Sequence, residues 1–258
     1  MLGPLPDWPL FGLADDMRPA LRAAREAGKP AALVTLVRAE GGSPRPVGTQ
    51  MVFAEGLVAG HLSGGCVEGD VALHAEACLA DGEPRRLVYG EGSPWPDIRL
   101  LCGAGIELLV ERVAPDDPAL GDLLAAFDAR RPVAWVTDGA RREAQPTDRQ
   151  RPWEGAAVRV YEPGYRLIVT GSDPSALAIA SLGAQAGFET TLIRPNGPLE
   201  PPPLTGVAYR REAADAALGA IGLDRWTAVA TATHDMDHDE AALRAALPSA
   251  AFYVGLLG

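Results

Sequence analysis

The chain is short of lysine, cysteine and aromatic residues. Lys29 is its one lysine among 23 basic residues, set against 34 acidic ones, for a formal net charge of −11 and a pI near 4.8. An average field of that sign repels polyanions, which argues against nucleic acid and anionic membrane as partners. Three cysteines in 258 residues are too few for a disulfide framework and point to a reducing compartment, the cytoplasm. No apolar run reaches the length that crosses a bilayer. The first nine residues hold three prolines and no basic stretch, so no targeting signal is read there. No internal repeat is found.

What is abundant is apolar residue and turn residue together. Hydrophobic content is 47%, with 29 glycines and 23 prolines, enough core for a chain between the usual sizes of one and two domains. Two domains of the α/β class are expected. The first, residues 1–114, is mixed α+β. Residues 10–27 repeat apolar positions at helical spacing (Leu10, Leu13, Met17, Leu21, Ala24) up to Gly28. A strand at 31–37, a glycine and proline loop at 40–48, a hairpin of 49–54 and 57–62, and a helix from Cys66 to about Ala80 follow. On that helix Val67, Val71, His74 and Cys78 share a face, so His74 and Cys78 read as core residues. Strands at 86–89 and 105–113 complete the domain. Residues 115–157 read as a connecting segment with a short helix and a strand at 133–137. The second domain, 158–258, is Rossmann-like with a parallel sheet: strand 166–170, turn, helix 174–186 and strand 190–193, then strand 227–232, helix 240–246 and strand 252–256.

Chemistry concentrates in four motifs. Ser63-Gly64-Gly65-Cys66-Val67-Glu68-Gly69 delivers a cysteine on bare backbone to a helix start, and Leu101-Cys102-Gly103-Ala104-Gly105 does so again. Glycines admit a bulky or anionic group close to the main chain, and a thiolate is favoured at a helix N-terminus; the plainer reading is a tight turn with an inert thiol. Glu68 and Asp70, in the first helical turn, are dipole caps first and ligand contacts second. The loop Gly41-Gly42-Ser43-Pro44-Arg45-Pro46-Val47-Gly48 brackets Arg45 between prolines, as a phosphate or carboxylate clamp or as a rigid exposed turn.

In the second domain the dinucleotide fingerprint is broken. Gly171 keeps the tight turn, but Asp173 stands where backbone must approach a pyrophosphate, and Arg194 stands where an acidic residue takes ribose hydroxyls. NAD(P) is therefore disfavoured, although Arg194 alone tolerates a 2′-phosphate. His234 and Asp235, in Thr233-His234-Asp235-Met236-Asp237-His238-Asp239, are candidate metal ligands at the carboxyl edge of that sheet, with helix capping as the competing role.

Taken in order, Glu40 to Pro46, Ser63 to Gly69, Cys102-Gly103 with Ile106-Glu107, Thr233-His234-Asp235 and Tyr253-Val254-Gly255-Leu256 resemble the XdhC/CoxI family of molybdenum hydroxylase maturation factors. The resemblance covers nearly the whole chain. It implies a chaperone without turnover of its own that binds molybdenum cofactor (molybdopterin) transiently, assists its sulfuration and helps load it into a xanthine or carbon monoxide dehydrogenase apo-enzyme. Cysteine desulfurase assistance and a homodimer follow from the same resemblance. The implied cofactor-binding residues are Gly41, Gly42, Ser43, Arg45, Ser63, Gly64, Gly65, Cys66, Glu68, Cys102 and Gly103, with Cys66 and Cys102 as the thiols. The chain departs from the family at Gly171-Ser172-Asp173-Pro174, at Gln50, which stands where a lysine or arginine is usual, and in ending at Gly258. The rivals are an NADP-linked oxidoreductase and an interaction scaffold with vestigial sites.

Overall fold

The computed structural model describes residues 2–3, 5–90, 93, 100, 103 and 105–257. They form two compact units, 1–162 and 163–258.

The first unit opens with a 3-10 turn, Leu10–Leu13, and helix α1, Arg18–Glu26. The periodic stretch expected as one helix is thus divided. The Arg18 N–H donates to Asp16 Oδ1 at 2.9 Å and Pro19 occupies the first turn, so the helix starts there, and Leu10 and Leu13 are exposed. Strands β1 (Ala31–Glu40), β2 (Gln50–Ala54) and β3 (Leu57–Gly60), helix α2 (Glu68–Asp81), and strands β4 (Arg85–Tyr89) and β5 (Gly105–Val113) follow. The strands make one antiparallel sheet in the order β3-β2-β1-β5-β4. Both faces of β1 are covered, which is why its sequence does not alternate. Ala32, Val34 and Leu36 meet Val71, Ala75 and Cys78 of α2, while Ala31 and Leu33 join Met17, Leu21 and Leu123 on the opposite face.

The segment expected to be a connector is part of this unit. It folds as α3 (Pro118–Asp128), β6 (Val133–Thr137), β7 (Arg142–Pro146) and β8 (Ala157–Tyr161), and the strands form a second antiparallel sheet, β7-β6-β8. Leu120, Leu123, Val133, Trp135 and Tyr161 are buried in the same core as α1 and β1. Glu111 of β5, wholly buried, accepts from Trp135 Nε1 (3.0 Å), Thr137 Oγ1 (2.8 Å) and Arg142 Nε (2.8 Å), and Arg142 also reaches Asp117 at 2.7 Å. The division between units falls at Glu162 and Pro163 because these contacts tie 115–161 to the first sheet.

The second unit is a parallel sheet, β11-β10-β9-β12-β13. Its elements are β9 (Arg166–Gly171), α4 (Pro174–Gln185), β10 (Glu189–Ile193), β11 (Val207–Arg210), α5 (Ala214–Ile221), β12 (Thr227–Ala232), α6 (Met236–Ala246) and β13 (Tyr253–Leu256). Among the described residues no helix is long and apolar enough to cross a membrane.

Candidate functional site

Antiparallel register carries the motifs of the first unit to one edge of its sheet. Glu40 lies opposite Gly105, Thr35 opposite Gln50, Met51 opposite Gly60 and Tyr89 opposite Ile106. At that edge β1, β3 and β4 therefore end, and β2 and β5 begin. The loops 41–49 and 61–67 both leave the sheet there, so Arg45 and Cys66, distant in sequence, stand on loops at the same edge.

The 61–67 loop is built around Glu68. Its carboxylate is 3% exposed and accepts the N–H groups of Leu62 (3.0 Å), Ser63 (2.7 Å), Gly64 (3.1 Å), Gly65 (2.8 Å) and Val67 (3.2 Å), and the Ser63 hydroxyl at 2.6 Å. Burial works to raise its pKa, but the hydroxyl and amide hydrogen bonds outweigh burial and hold the group at about 2. Ser63 Oγ in turn accepts from the N–H groups of Cys66 (3.0 Å) and Val67 (3.1 Å). Gly64 and Gly65 have φ of +84° and +114°, the left-handed region that turns their amides inward. The amides expected to receive a ligand are thus committed to Glu68, and Glu68 anchors the loop from within rather than capping the helix in the ordinary way. Cys66 is exposed at its tip.

The other thiol of this region behaves differently. Cys78 is buried in the core beneath α2, and burial pushes its pKa up, as a packing residue requires. His74 departs from expectation: it is only half-buried and pairs with Asp70 at 3.6 Å, one turn earlier on α2. Asp70 also accepts the Tyr89 hydroxyl at 2.6 Å, tying the end of β4 to α2. Burial, then the Asp70 carboxylate, raise the Tyr89 pKa, so the phenol stays a donor.

Arg45 is not a free clamp. Its guanidinium pairs with Asp15, in the segment before α1, and Ser43 Oγ donates to the Arg45 carbonyl at 2.9 Å. Gly41 and Gly42 are exposed, Gly41 with φ +66°. His61 places Nδ1 2.8 Å from the Gly12 carbonyl, which fixes the proton on that nitrogen. Asp15 and His61 join the site without any spacing signal in the sequence, because their partners come from a separate segment. Gln50 is buried, donating to Thr35 Oγ1 at 2.9 Å and accepting from Tyr161. Cys102 lies outside the described residues; Gly103 is exposed, with φ +71° and its N–H on the Leu100 carbonyl at 2.9 Å.

In the second unit the expected metal pair is not assembled as ligands. Asp235 caps α6, accepting from the N–H groups of Asp237 (3.0 Å) and His238 (3.1 Å), and His234 Nε2 lies 3.0 Å from Asp173 Oδ2. Among the described residues no group of three or more His, Cys, Asp or Glu side chains is arranged to hold a metal ion. Asp173 is itself a helix cap, accepting from the Ala176 N–H at 2.9 Å.

Comparison with known proteins decides the relationship. The chain is 36% identical over 253 residues to the molybdenum cofactor insertion chaperone PaoD of Escherichia coli (strain K12), an alignment covering 95% of this chain and 73% of that protein. A model of the XdhC and CoxI family matches residues 24–90, and one of the XdhC Rossmann domain matches residues 167–258. The chain belongs to the XdhC/CoxI family. The match to 24–90 contains both loops at the sheet edge, the Arg45 loop and the Cys66 loop, and the Rossmann match covers the parallel sheet of the second unit. A crystal structure described as a xanthine dehydrogenase from Bacillus halodurans superposes with a TM-score of 0.71 over 93% of this chain and 81% of that one. Its 22% identity establishes the shared fold.

Proposed function

We propose that this protein is a maturation factor that binds molybdenum cofactor as cargo and passes it to a molybdenum hydroxylase of the xanthine or carbon monoxide dehydrogenase type. The observation that carries the reading is Cys66, exposed at the tip of a loop stiffened from beneath by Glu68, in a chain 36% identical to a molybdenum cofactor insertion chaperone. A fixed loop with one outward thiol presents a soft sulfur ligand at low entropic cost, and thiolate sulfur suits molybdenum or a sulfur to be transferred. Arg45 supplies the anion contact by exchanging Asp15 for a cofactor phosphate. That exchange is inexpensive, because the Asp15 carboxylate is largely exposed and surface pairs contribute little. The glycine amides are left out of this mechanism, since Glu68 holds those of Gly64 and Gly65.

Sulfuration of the cargo, with a cysteine desulfurase as the sulfur source, a dimeric state and a cytoplasmic location belong to the same proposal. The test is anaerobic incubation with molybdenum cofactor, then desalting and molybdenum and pterin analysis of the wild type, Cys66→Ala and Arg45→Ala. Stoichiometric retention by the wild type and its loss in both variants is expected. No retention by the wild type would remove the reading and leave an interaction scaffold in its place.

A further inference from the structure

The first two strands of the parallel sheet and the loop after β12 enclose a crevice at the sheet's carboxyl edge, lined by Gly171, Ser172, Arg194, Thr233, Asp235 and His238. Open parallel sheets place ligands there, at the point where strand order reverses. In dinucleotide-binding sheets the pyrophosphate sits on the N-terminus of the first helix. Here that seat is closed. Asp173 puts its own carboxylate on the Ala176 N–H, Pro174 has no N–H to give, and His234 holds the second carboxylate oxygen. The turn has no slack to move aside, since a Cβ at Gly171 would stand 2.5 Å from both Ala176 Cβ and the Ala232 carbonyl oxygen.

The cation of the crevice has no such internal partner. Arg194, directly after β10, has no hydrogen bond or ion pair from its side chain to any described residue, whereas the carboxylates around it are each compensated. Asp173 faces Ala176 and His234, Asp235 faces the N–H groups of Asp237 and His238, and Asp239 accepts the hydroxyls of Thr231 and Thr233.

We propose that this crevice is a binding site for a phosphate monoester, gripped by the Arg194 guanidinium, and that it rejects a pyrophosphate bridge. A monoester presents a compact dianion that the planar guanidinium matches with two parallel N–H bonds. Hydroxyls on the ester's sugar or linker would face the Asp235 carboxylate. The site belongs to the second unit, and its assignment does not rest on the cargo assigned to the Cys66 loop.

The test is calorimetric titration of the full chain with inorganic phosphate, adenosine 2′-monophosphate, NADPH and NADH, for the wild type, Arg194→Ala and Arg194→Lys. Adenosine 2′-monophosphate is expected to bind in the micromolar to millimolar range, and NADPH and NADH, which both carry a pyrophosphate bridge, not to bind. Arg194→Ala is expected to lose at least about tenfold in affinity and Arg194→Lys to retain part of it. Thermal unfolding of the variants checks that the fold is intact. NADPH or NADH binding as tightly as the monophosphate, monophosphate binding unchanged in Arg194→Ala, or no binding of any probe by the wild type would each overturn the proposal. Molybdenum cofactor retention by Arg194→Ala separates a free nucleotide from the cargo's own phosphate as the natural source. Retention unchanged beside lost nucleotide binding assigns the site to a free phosphate monoester.

Discussion

Glu68 governs what the 61–67 loop can be. A carboxylate is the one side chain that accepts from five amides and a hydroxyl at once, and an amide in its place would turn N–H donors toward donors. Because its folded pKa of about 2 lies below the usual glutamate value, the charged form is the one that folding favours. That stabilisation, about 3 kcal/mol from the size of the shift, is complete above the unfolded pKa and is lost as pH falls toward the folded one. Glu68→Gln is therefore expected to be less stable than the wild type at pH 6, with the gap narrowing through the range from about pH 5 to pH 2. Urea unfolding at a series of pH values measures it, and a gap constant with pH would contradict it. The cysteines give a second residue-level test. In a Cys102→Ala background, Cys66 is expected to react with an aromatic disulfide reagent in the native protein and Cys78 only on unfolding, since one is exposed and the other buried.

Elements held by a single buried group are the sensitive points at the next scale. Arg142 of β7 is the cation for Glu111 of β5, which no water reaches. Removing one partner of such a pair leaves an uncompensated buried charge, so Arg142→Leu is expected to destabilise the first unit by about 3–5 kcal/mol, as denaturant midpoints would report. These same elements separate what sequence reading found from what it missed. Strands β1, β5, β6 and β12 were legible as apolar, β-branched runs, and α4 as an apolar stretch between turns. Strand β7, Arg142–Pro146, was not, because it carries Arg, Glu and Gln and is held by ion pairs and ladder bonds rather than by an apolar face. Strand β11 is four residues long and α5 eight, too short for a period to register. Of the candidate site, Cys66 and Arg45 were legible as chemistry, but the direction of the Gly64 and Gly65 amides and the Asp15 partner of Arg45 depend on tertiary closure that spacing does not encode.

At the scale of the whole molecule, the chain divides after Glu162, and residues 115–157, expected as a connecting segment, fall within the first unit. The reason is the quantity of core that 115–161 supplies. Leu120, Leu123, Leu124, Val133, Trp135 and Tyr161 are all buried against Met17, Leu21, Leu33 and Val113. Burying a large apolar side chain contributes about 1.5–3 kcal/mol relative to exposure, and native domains are stable by only about 5–15 kcal/mol in total. A chain cut after residue 114 would expose that face of the first sheet and lose the donors to Glu111. A chain cut after residue 162 would keep every one of these contacts. Residues 1–162 produced alone are therefore expected to unfold cooperatively in urea with dispersed amide resonances, and residues 1–114 to be unfolded or aggregated. Equal stability of the two fragments would show that the second sheet is an appendage. The opposite result makes residues 115–161 part of what supports the sheet edge, and with it the loop that presents Cys66.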